Sequence, residues 1–256
     1  MICAANTDIG MKRSVNQDSF VLKTFSDKTA LCVVCDGMGG AKGGYEASKI
    51  ASEAFAKNVE QFIIPFVGKK DKQLHVSDIR ENLIDSVSKA NAEVYAYSRE
   101  HVGMKGMGTT LVGVLVIDHS IFCINVGDSR MYLIKGSKIR QVTKDHSYVQ
   151  YLVDIGQLTE KEAETFPQKN VITRAVGTEP EVTPECFRES ASEGTFILLC
   201  SDGLTNFIDN NTIRDIITKD SKNIDQVSLS MRVRKLIDKA NENGGADNIT
   251  AAIIKI

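Results

Sequence analysis

The chain has 256 residues, of which 42% are hydrophobic and 25% are charged. These are ordinary values for a globular protein with a sizeable core, and the length suits one large domain or two small ones. The 31 basic and 33 acidic residues give a formal net charge of −2, which favours neither a nucleic-acid-binding protein nor a membrane-surface protein.

The compartment is predicted from apolar runs and from cysteine usage. No apolar run reaches the roughly 20 residues that span a bilayer, and the first residues lack the pattern of a signal peptide. Four of the six cysteines lie in apolar, strand-like runs: Cys32, Cys35, Cys123 and Cys200. Free buried thiols explain this placement better than disulfides do. We therefore expect a cytoplasmic protein, although a domain taken from a longer membrane protein would look the same.

The predicted elements begin with a short apolar strand at 31–35. Helical stripes follow at 47–55 and at 79–94, the second with Ser77 as a candidate N-cap. Apolar runs at 111–117, 121–126 and 131–134, and a further short run after 135–137, are separated by tight turns, which require antiparallel pairing. A strand at 196–200, a helix at 229–240 and a strand at 249–256 complete the set.

The order of these elements predicts the fold class. Strands come in series and the helices are grouped between them, which favours an α+β fold over a regular βαβ fold. We expect antiparallel sheet packed on antiparallel sheet, with helices covering the outer faces.

Aspartates recur where the predicted strands end. Apolar runs stop just before Asp36-Gly37, Gly127-Asp128 and Ser201-Asp202, and Asp247 precedes the last strand. Any one of these is explained by ordinary turn chemistry. Four carboxylates at a shared sheet edge repel one another, however, and a divalent cation relieves that repulsion. Oxygen ligands without His or Cys at suitable spacing favour Mg²⁺ or Mn²⁺ over Ca²⁺.

Two neighbouring features fit a phosphate-processing metal site. Gly37 permits close backbone approach and leaves its carbonyl free as a ligand. Arg13 would be read as a surface charge in isolation. Beside a carboxylate–metal cluster, its guanidinium could bind phosphate oxygens bidentately.

The motifs, in their order, resemble the protein phosphatase 2C family of metal-dependent Ser/Thr phosphatases. The matching stretches are GMKRSVNQDS (10–19), VVCDGMGG (33–40), GMGTTLVGVLV (106–116), INVGDSRMYLI (124–134), VTKDHS (142–147), NVITRAVG (170–177), LLCSDGLTNFI (198–208) and GGADNITAAII (244–254). They cover nearly the whole chain and resemble the bacterial branch. The resemblance implies an αββα sandwich and a single catalytic domain at 1–256.

The resemblance also implies the metal ligands. Asp36 would bridge two ions, and Asp202 and Asp247 would complete the first site. The carbonyl of Gly37 would serve the second site, and Asp18 would hold one of its waters.

Further roles follow from the same resemblance. Asp128 matches the position that, with Asp202, helps bind a third ion in bacterial relatives. Arg13 would hold the substrate phosphate, and Asn248 would orient its neighbours. A hydroxide bridging two Mn²⁺ or Mg²⁺ ions would attack phosphorus in line, without a phosphoenzyme.

The chain departs from the family at the proton donor. Relatives carry a histidine two positions after the bridging aspartate or after the double glycine, and Met38 and Ala41 stand there in this chain. His146 is a candidate general acid by chemistry alone, but the family pattern places it just before a flap at 147–169, which favours a structural role.

The motifs leave three candidate functions. The leading hypothesis is hydrolysis of phosphoserine and phosphothreonine in proteins by a cytoplasmic monomer that opposes a cognate Ser/Thr kinase. A phosphatase dedicated to one regulatory protein is the second, and a pseudophosphatase that only binds partners is the third. The presence of Arg13, Asp36, Asp202 and Asp247 argues against the third.

Overall fold

The computed structural model describes residues 1–69, 74–163, 165–220 and 224–256. The strands are β1 Ile2–Asp8, β2 Asp18–Ser26, β3 Thr29–Met38, β4 Gly108–Thr109, β5 Leu111–Ile117, β6 Ser120–Val126, β7 Arg130–Lys135, β8 Lys138–Gln141, β9 Glu185–Ser190, β10 Phe196–Cys200 and β11 Ile249–Lys255. The helices are α1 Gly40–Ile63, α2 Val76–Glu100, α3 Tyr148–Asp154, α4 Glu160–Ala163, α5 Asp202–Thr205, α6 Asn210–Thr218 and α7 Gln226–Glu242, with a 3₁₀ turn at Ile64–Phe66.

Two antiparallel sheets form the centre of the molecule. One has the strand order β1-β11-β10-β7-β8, and the other has the order β2-β3-β5-β6-β9, with β4 paired to β3. The register sets Asp18 of β2 opposite Asp36 of β3. The α+β class and the antiparallel pairing predicted from the sequence are thereby confirmed.

The side chains of each strand point alternately to the two faces of its sheet, and this divides the core into layers. In β3, Leu31 and Val33 pack in the cluster beneath α1 and α2, whereas Cys32 and Val34 pack between the two sheets because successive side chains point to opposite faces. A third cluster lies between the first sheet and helices α6 and α7. The four layers are those of an αββα sandwich.

The cysteine pair of β3 does not form a redox centre. Cys32 faces the layer between the sheets and Cys35 faces the helical layer, so the two thiols lie on opposite faces of the strand. All six cysteines are free, and burial raises the pKa of both thiols.

One predicted cap is wrong. Helix α2 begins at Val76 after an N-cap at His75, which makes no side-chain capping bond. Ser77 lies inside the first turn, and its Oγ donates to Asp78 Oδ1 at 3.1 Å. No helix in the described part of the chain is long and apolar enough to cross a membrane.

Candidate metal centre

The sheets bring the predicted aspartates to one cleft. Asp36 lies near the end of β3, Asp202 directly follows Ser201 at the end of β10, and Asp247 precedes β11. The cleft has a volume of about 460 Å³ and is called the acidic cleft below. Its wall consists of Arg13, Ser14, Val15, Gln17, Asp36, Gly37, Met38, Gly39, Gly40, Ala41, Thr110, Asp128, Asn170, Ile172, Asp202, Asp247 and Asn248.

The carboxylates of the acidic cleft and the buried Asp18, which is not part of the cleft wall, perturb one another. Burial, together with the charge of Asp202, raises the pKa of Asp18 to about 7 and that of Asp128 to about 8. Burial also raises the pKa of Asp202, with Asp247 adding to the effect. The pKa of Asp36 is raised well above its ordinary range by burial, with Asp18 as the largest charged contributor. Asp36 and Asp202 keep some exposure to the cleft, but the surrounding protein excludes enough water for burial to dominate.

Two carboxylate oxygens have no hydrogen-bond donor. Asp18 Oδ2 accepts from Ser201 Oγ at 2.7 Å and from Thr250 Oγ1 at 2.6 Å. Asp18 Oδ1 and Asp202 Oδ1 are buried and receive no hydrogen bond. Buried acceptors are rarely left unpaired, and an oxygen-seeking divalent cation would satisfy both.

Gly37 is held where no side chain fits. A Cβ on Gly37 would lie 1.9 Å from the Gly44 carbonyl oxygen and 2.8 Å from that of Gln17. The backbone of Gly37 is therefore packed tightly at the edge of the acidic cleft, as a carbonyl ligand requires. The donor set fits hard divalent ions. Within the described residues, no three His, Cys, Asp or Glu side chains are already gathered as a coordination shell, so binding an ion requires the carboxylates to adjust.

Arg13 lies in the acidic cleft and is paired with a carboxylate. Its Nη2 donates to Asp247 Oδ2 at 2.8 Å, and the two side chains are 47% and 31% exposed. This hydrogen bond is the main reason why the pKa of Arg13 is raised. A phosphate oxygen can accept the same kind of charge-assisted hydrogen bond from a guanidinium.

Asn248 fastens the loop that carries Arg13. Its Nδ2 donates to the carbonyls of Ile9 and Val15 at 2.9 and 3.0 Å, and its Oδ1 accepts from Gln17 N at 2.9 Å. A single side chain thus fixes both ends of the 9–17 loop to the start of β11.

Replacing Asn248 with alanine should loosen this loop. Three hydrogen bonds at about 0.5–1.5 kcal/mol each predict a loss of roughly 1.5–4.5 kcal/mol in unfolding free energy. KM for a phosphopeptide should rise as well, because Arg13 is no longer held in place. Denaturant unfolding and steady-state kinetics check this, with Asn58→Ala on α1 as the control, since Asn58 makes one local bond to Ala54 O. Unchanged stability and KM in Asn248→Ala would contradict the role.

Hydroxyl groups that the sequence did not single out orient the aspartates. Asp36 N donates to Thr110 Oγ1 at 2.9 Å, and Asp36 O accepts from Thr110 N and Thr109 Oγ1 at 2.8 Å each. Ser201 and Thr250 hold Asp18 as described above. Ser201 and Thr250 stand within three residues of predicted ligands, so proximity to a motif could have indicated them. The contact of Thr110 with Asp36 could not be predicted from the sequence, because it depends on how the strands pair.

His146, for which the sequence favours a structural role over that of a general acid, does not line the acidic cleft. His146 is 6% exposed and does not belong to the cleft wall, and burial followed by the charge of Arg174 lowers its pKa. Met38 and Ala41 do line the cleft. The predicted flap at 147–169 contains α3 and α4, and its residue 164 lies outside the described residues.

The chain is similar to known protein phosphatases. Residues 11–238 match the family model of protein phosphatase 2C. Protein phosphatase PhpP of Streptococcus pneumoniae is 36% identical over 251 residues, covering 98% of this chain and 95% of the relative. The crystal structure of the serine/threonine phosphatase Stp1 from Staphylococcus aureus has a TM-score of 0.86 at 33% identity, covering 100% of this chain and 95% of that one.

A further solved structure bears on the metal. The catalytic domain of the serine/threonine protein phosphatase PstP in complex with two manganese ions has a TM-score of 0.79 at 31% identity, covering 98% of this chain and 96% of that one. The chain belongs to the protein phosphatase 2C family. It is a protein serine/threonine phosphatase, a phosphoric monoester hydrolase whose catalysis depends on metal ions.

Proposed function

We propose that the chain hydrolyses phosphoserine and phosphothreonine in proteins at the acidic cleft, without a phosphoenzyme. The observation that carries this proposal is the arrangement of Asp36 amid buried, mutually repelling carboxylates. Two carboxylate oxygens of this group, on Asp18 and Asp202, are unpaired, and Arg13 lines the same cleft as Asp36. Two divalent ions held by these carboxylates would supply hydroxide near neutral pH by lowering the pKa of water. The manganese complex of PstP supports Mn²⁺, and the oxygen ligands suit Mg²⁺ equally.

Five residues would hold the two ions. Asp36 would bridge the two ions, with Asp202 and Asp247 completing the first site. The carbonyl of Gly37 would serve the second site, and Asp18 would hold a water through its unpaired Oδ1.

The remaining roles concern charge and orientation. Asp128, with Asp202, would bind a third ion. Arg13 would hold the phosphoryl oxygens of the substrate, and Asn248 orients the loop of Arg13 through the contacts given above.

The proposal extends to the domain organisation, the oligomeric state and the cellular compartment. We take residues 1–256 as one catalytic domain, acting as a monomer in the cytoplasm against the products of a Ser/Thr kinase. The family match over 11–238 supports the single domain. Six free thiols, five of them buried, support a reducing compartment.

An assay of the purified protein tests the function. p-Nitrophenyl phosphate and a phosphothreonine peptide should both be hydrolysed with Mn²⁺, and Asp36→Asn should remain at background. Activity no higher in the wild type than in this variant would favour a protein that only binds its partners.

Arg13→Ala should mainly raise KM. A charge-assisted hydrogen bond contributes about 1.5–3 kcal/mol, which predicts a rise of roughly 10- to 100-fold. kcat should change little, because the guanidinium holds the phosphate in both ground and transition states. Steady-state kinetics on the phosphothreonine peptide measure this, with the neighbouring cation Lys12 replaced by alanine as the control. An unchanged KM in Arg13→Ala would exclude the phosphate contact.

A further inference from the structure

A buried histidine joins the turn that carries Asp128 to residues next to the acidic cleft. We propose that His146 is a positioning residue: it fixes the Asp128 turn, residues 127–129, and ties to that turn the strand-like segment 171–173. The inference rests on the proposed function in one respect, the assignment of Asp128 as a metal ligand.

His146 makes two hydrogen bonds to the residue before Asp128. The backbone N of His146 donates to Gly127 O at 2.9 Å, and Gly127 N donates to His146 Nδ1 at 3.1 Å. The buried Asn125 side chain adds a bond from its Nδ2 to Gly127 O at 3.2 Å. Gly127 is thus fixed on this side by both its backbone polar groups.

Thr110 also packs closely against Gly127. Gly127 has φ +105°, and a Cβ there would lie 2.7 Å from Cβ of Thr110. Thr110 Oγ1 lies 2.7 Å from Ser129 Oγ, at the other end of the turn. The Asp128 turn is therefore held between Thr110, which also binds the backbone of Asp36, and His146.

The contacts define the tautomer of the ring. Because Nδ1 accepts from Gly127 N, the proton of the neutral imidazole resides on Nε2. Nε2 lies 3.5 Å from Glu185 Oε1, which can accept that proton's hydrogen bond, and 3.3 Å from Arg174 Nη1. Both ring nitrogens face protein partners, Gly127 N at Nδ1 and the partly exposed Glu185 and Arg174 at Nε2. His146 is also absent from the wall of the acidic cleft, so its ring is not placed to protonate a leaving group there.

The same residue holds the segment that leads to the cleft wall. Thr173 N donates to His146 O at 2.7 Å, and Ser147 forms an antiparallel bridge with Ile172. Tyr148 N donates to Val171 O at 2.7 Å. Ile172 lines the acidic cleft, so a displaced His146 would move both the Asp128 turn and this part of the wall.

Substitutions that imitate one ring nitrogen at a time test the proposal. The amide oxygen of asparagine can replace Nδ1 as the acceptor for Gly127 N, whereas glutamine places its amide near Nε2. His146→Asn should retain the Gly127 contact, and His146→Gln and His146→Leu should lose it. The exposed His119, replaced by asparagine, is the matched control.

Two readouts distinguish positioning from packing. Hydrogen exchange of the Gly127 amide should accelerate roughly two- to tenfold in His146→Gln and His146→Leu, as expected for one lost hydrogen bond, and stay near wild type in His146→Asn. Calorimetric titration with Mn²⁺ should show weaker binding in the first two variants. In an Asp128→Ala background, His146→Gln should weaken Mn²⁺ binding no further, because it acts through Asp128.

The outcomes separate the two proposals. The positioning role would be overturned if His146→Asn and His146→Gln had equal effects, or if the exchange rate of the Gly127 amide were unchanged in both. These two variants are sufficient for the test even if His146→Leu fails to fold. If Asp128→Ala alone leaves Mn²⁺ binding unchanged, the assignment of Asp128 fails, and the exchange of the Gly127 amide still decides the role of His146.

Discussion

Asp36→Asn is expected to abolish hydrolysis of a phosphothreonine peptide, lowering kcat by about 10³-fold or more. Metal ions stabilise transition-state charge by several kcal/mol, and each 1.36 kcal/mol corresponds to a factor of about ten in rate. The pKa of Asp36 is raised by four other aspartates, Asp18, Asp128, Asp202 and Asp247. Asp36 is also the carboxylate proposed to bind both ions, so the asparagine variant would lose a ligand of each. The variant should fold, because asparagine keeps the size of the side chain and the backbone bonds to Thr110 are unaffected.

Asp202→Ala and Asp247→Ala should each give the same loss by emptying the first ion site. kcat and Mn²⁺ dependence are measured on the phosphothreonine peptide. Asp238→Ala on α7 is the control, since it removes an exposed aspartate paired only with Arg234 in the described residues. Full turnover in Asp202→Ala or Asp247→Ala would exclude the assignment of these ligands.

The metal-stripped protein is expected to lose thermal stability as pH rises from about 5 to about 8. The pKa of Asp18 and that of Asp128 are raised from 3.8 to about 7 and about 8. A carboxyl with a raised pKa in the folded state stabilises the fold fully below its unfolded pKa, and that contribution is lost as pH rises through the folded pKa. Burial lowers the pKa of His146, so this residue alone would make the protein more stable as pH rises. The raised pKa values of several carboxylates outweigh this single contribution.

Mn²⁺ should reverse this loss, because the ion neutralises the same carboxylates. A ligand at about 100 times its Kd stabilises by about 2.7 kcal/mol, which for a chain of this length corresponds to roughly 5–10 °C in Tm. Thermal unfolding with and without Mn²⁺ measures the effect, and Asp18→Asn and Asp128→Asn should flatten the pH dependence. The electrostatic account would be contradicted if the Tm of the metal-stripped protein rose with pH, or if adding Mn²⁺ left the Tm unchanged.

The strands that carry the aspartates could be predicted because they are buried in the middle of a sheet. β3, β10 and β11 read as apolar runs, and their ends coincide with Asp-Gly or Asp-Asn pairs. By contrast, β1, β2 and β9 lie at sheet edges. Their residues are only partly buried, so polar and apolar residues mix and the alternation is weak.

The contacts around the aspartates depend on pairing across the fold. Thr110 reaches Asp36 only because β3 pairs with β5, and His146 reaches Gly127 across 19 positions of sequence. The short helices α3 to α6 span at most nine residues, too few turns for a periodic stripe to be distinguished. The N-cap of α2 could not be predicted either, because His75 makes no side-chain capping bond that its residue type would indicate.

The central claim is that the aspartates of the acidic cleft hold the divalent ions on which hydrolysis depends. Calorimetric titration of the metal-stripped protein with Mn²⁺, with peptide hydrolysis assayed on the same samples, tests it most directly. The wild type should bind at least two ions and become active as they bind, whereas Asp36→Asn should bind fewer and stay inactive. Full hydrolysis by the metal-stripped wild type, or undiminished Mn²⁺ binding by Asp36→Asn, would contradict the claim.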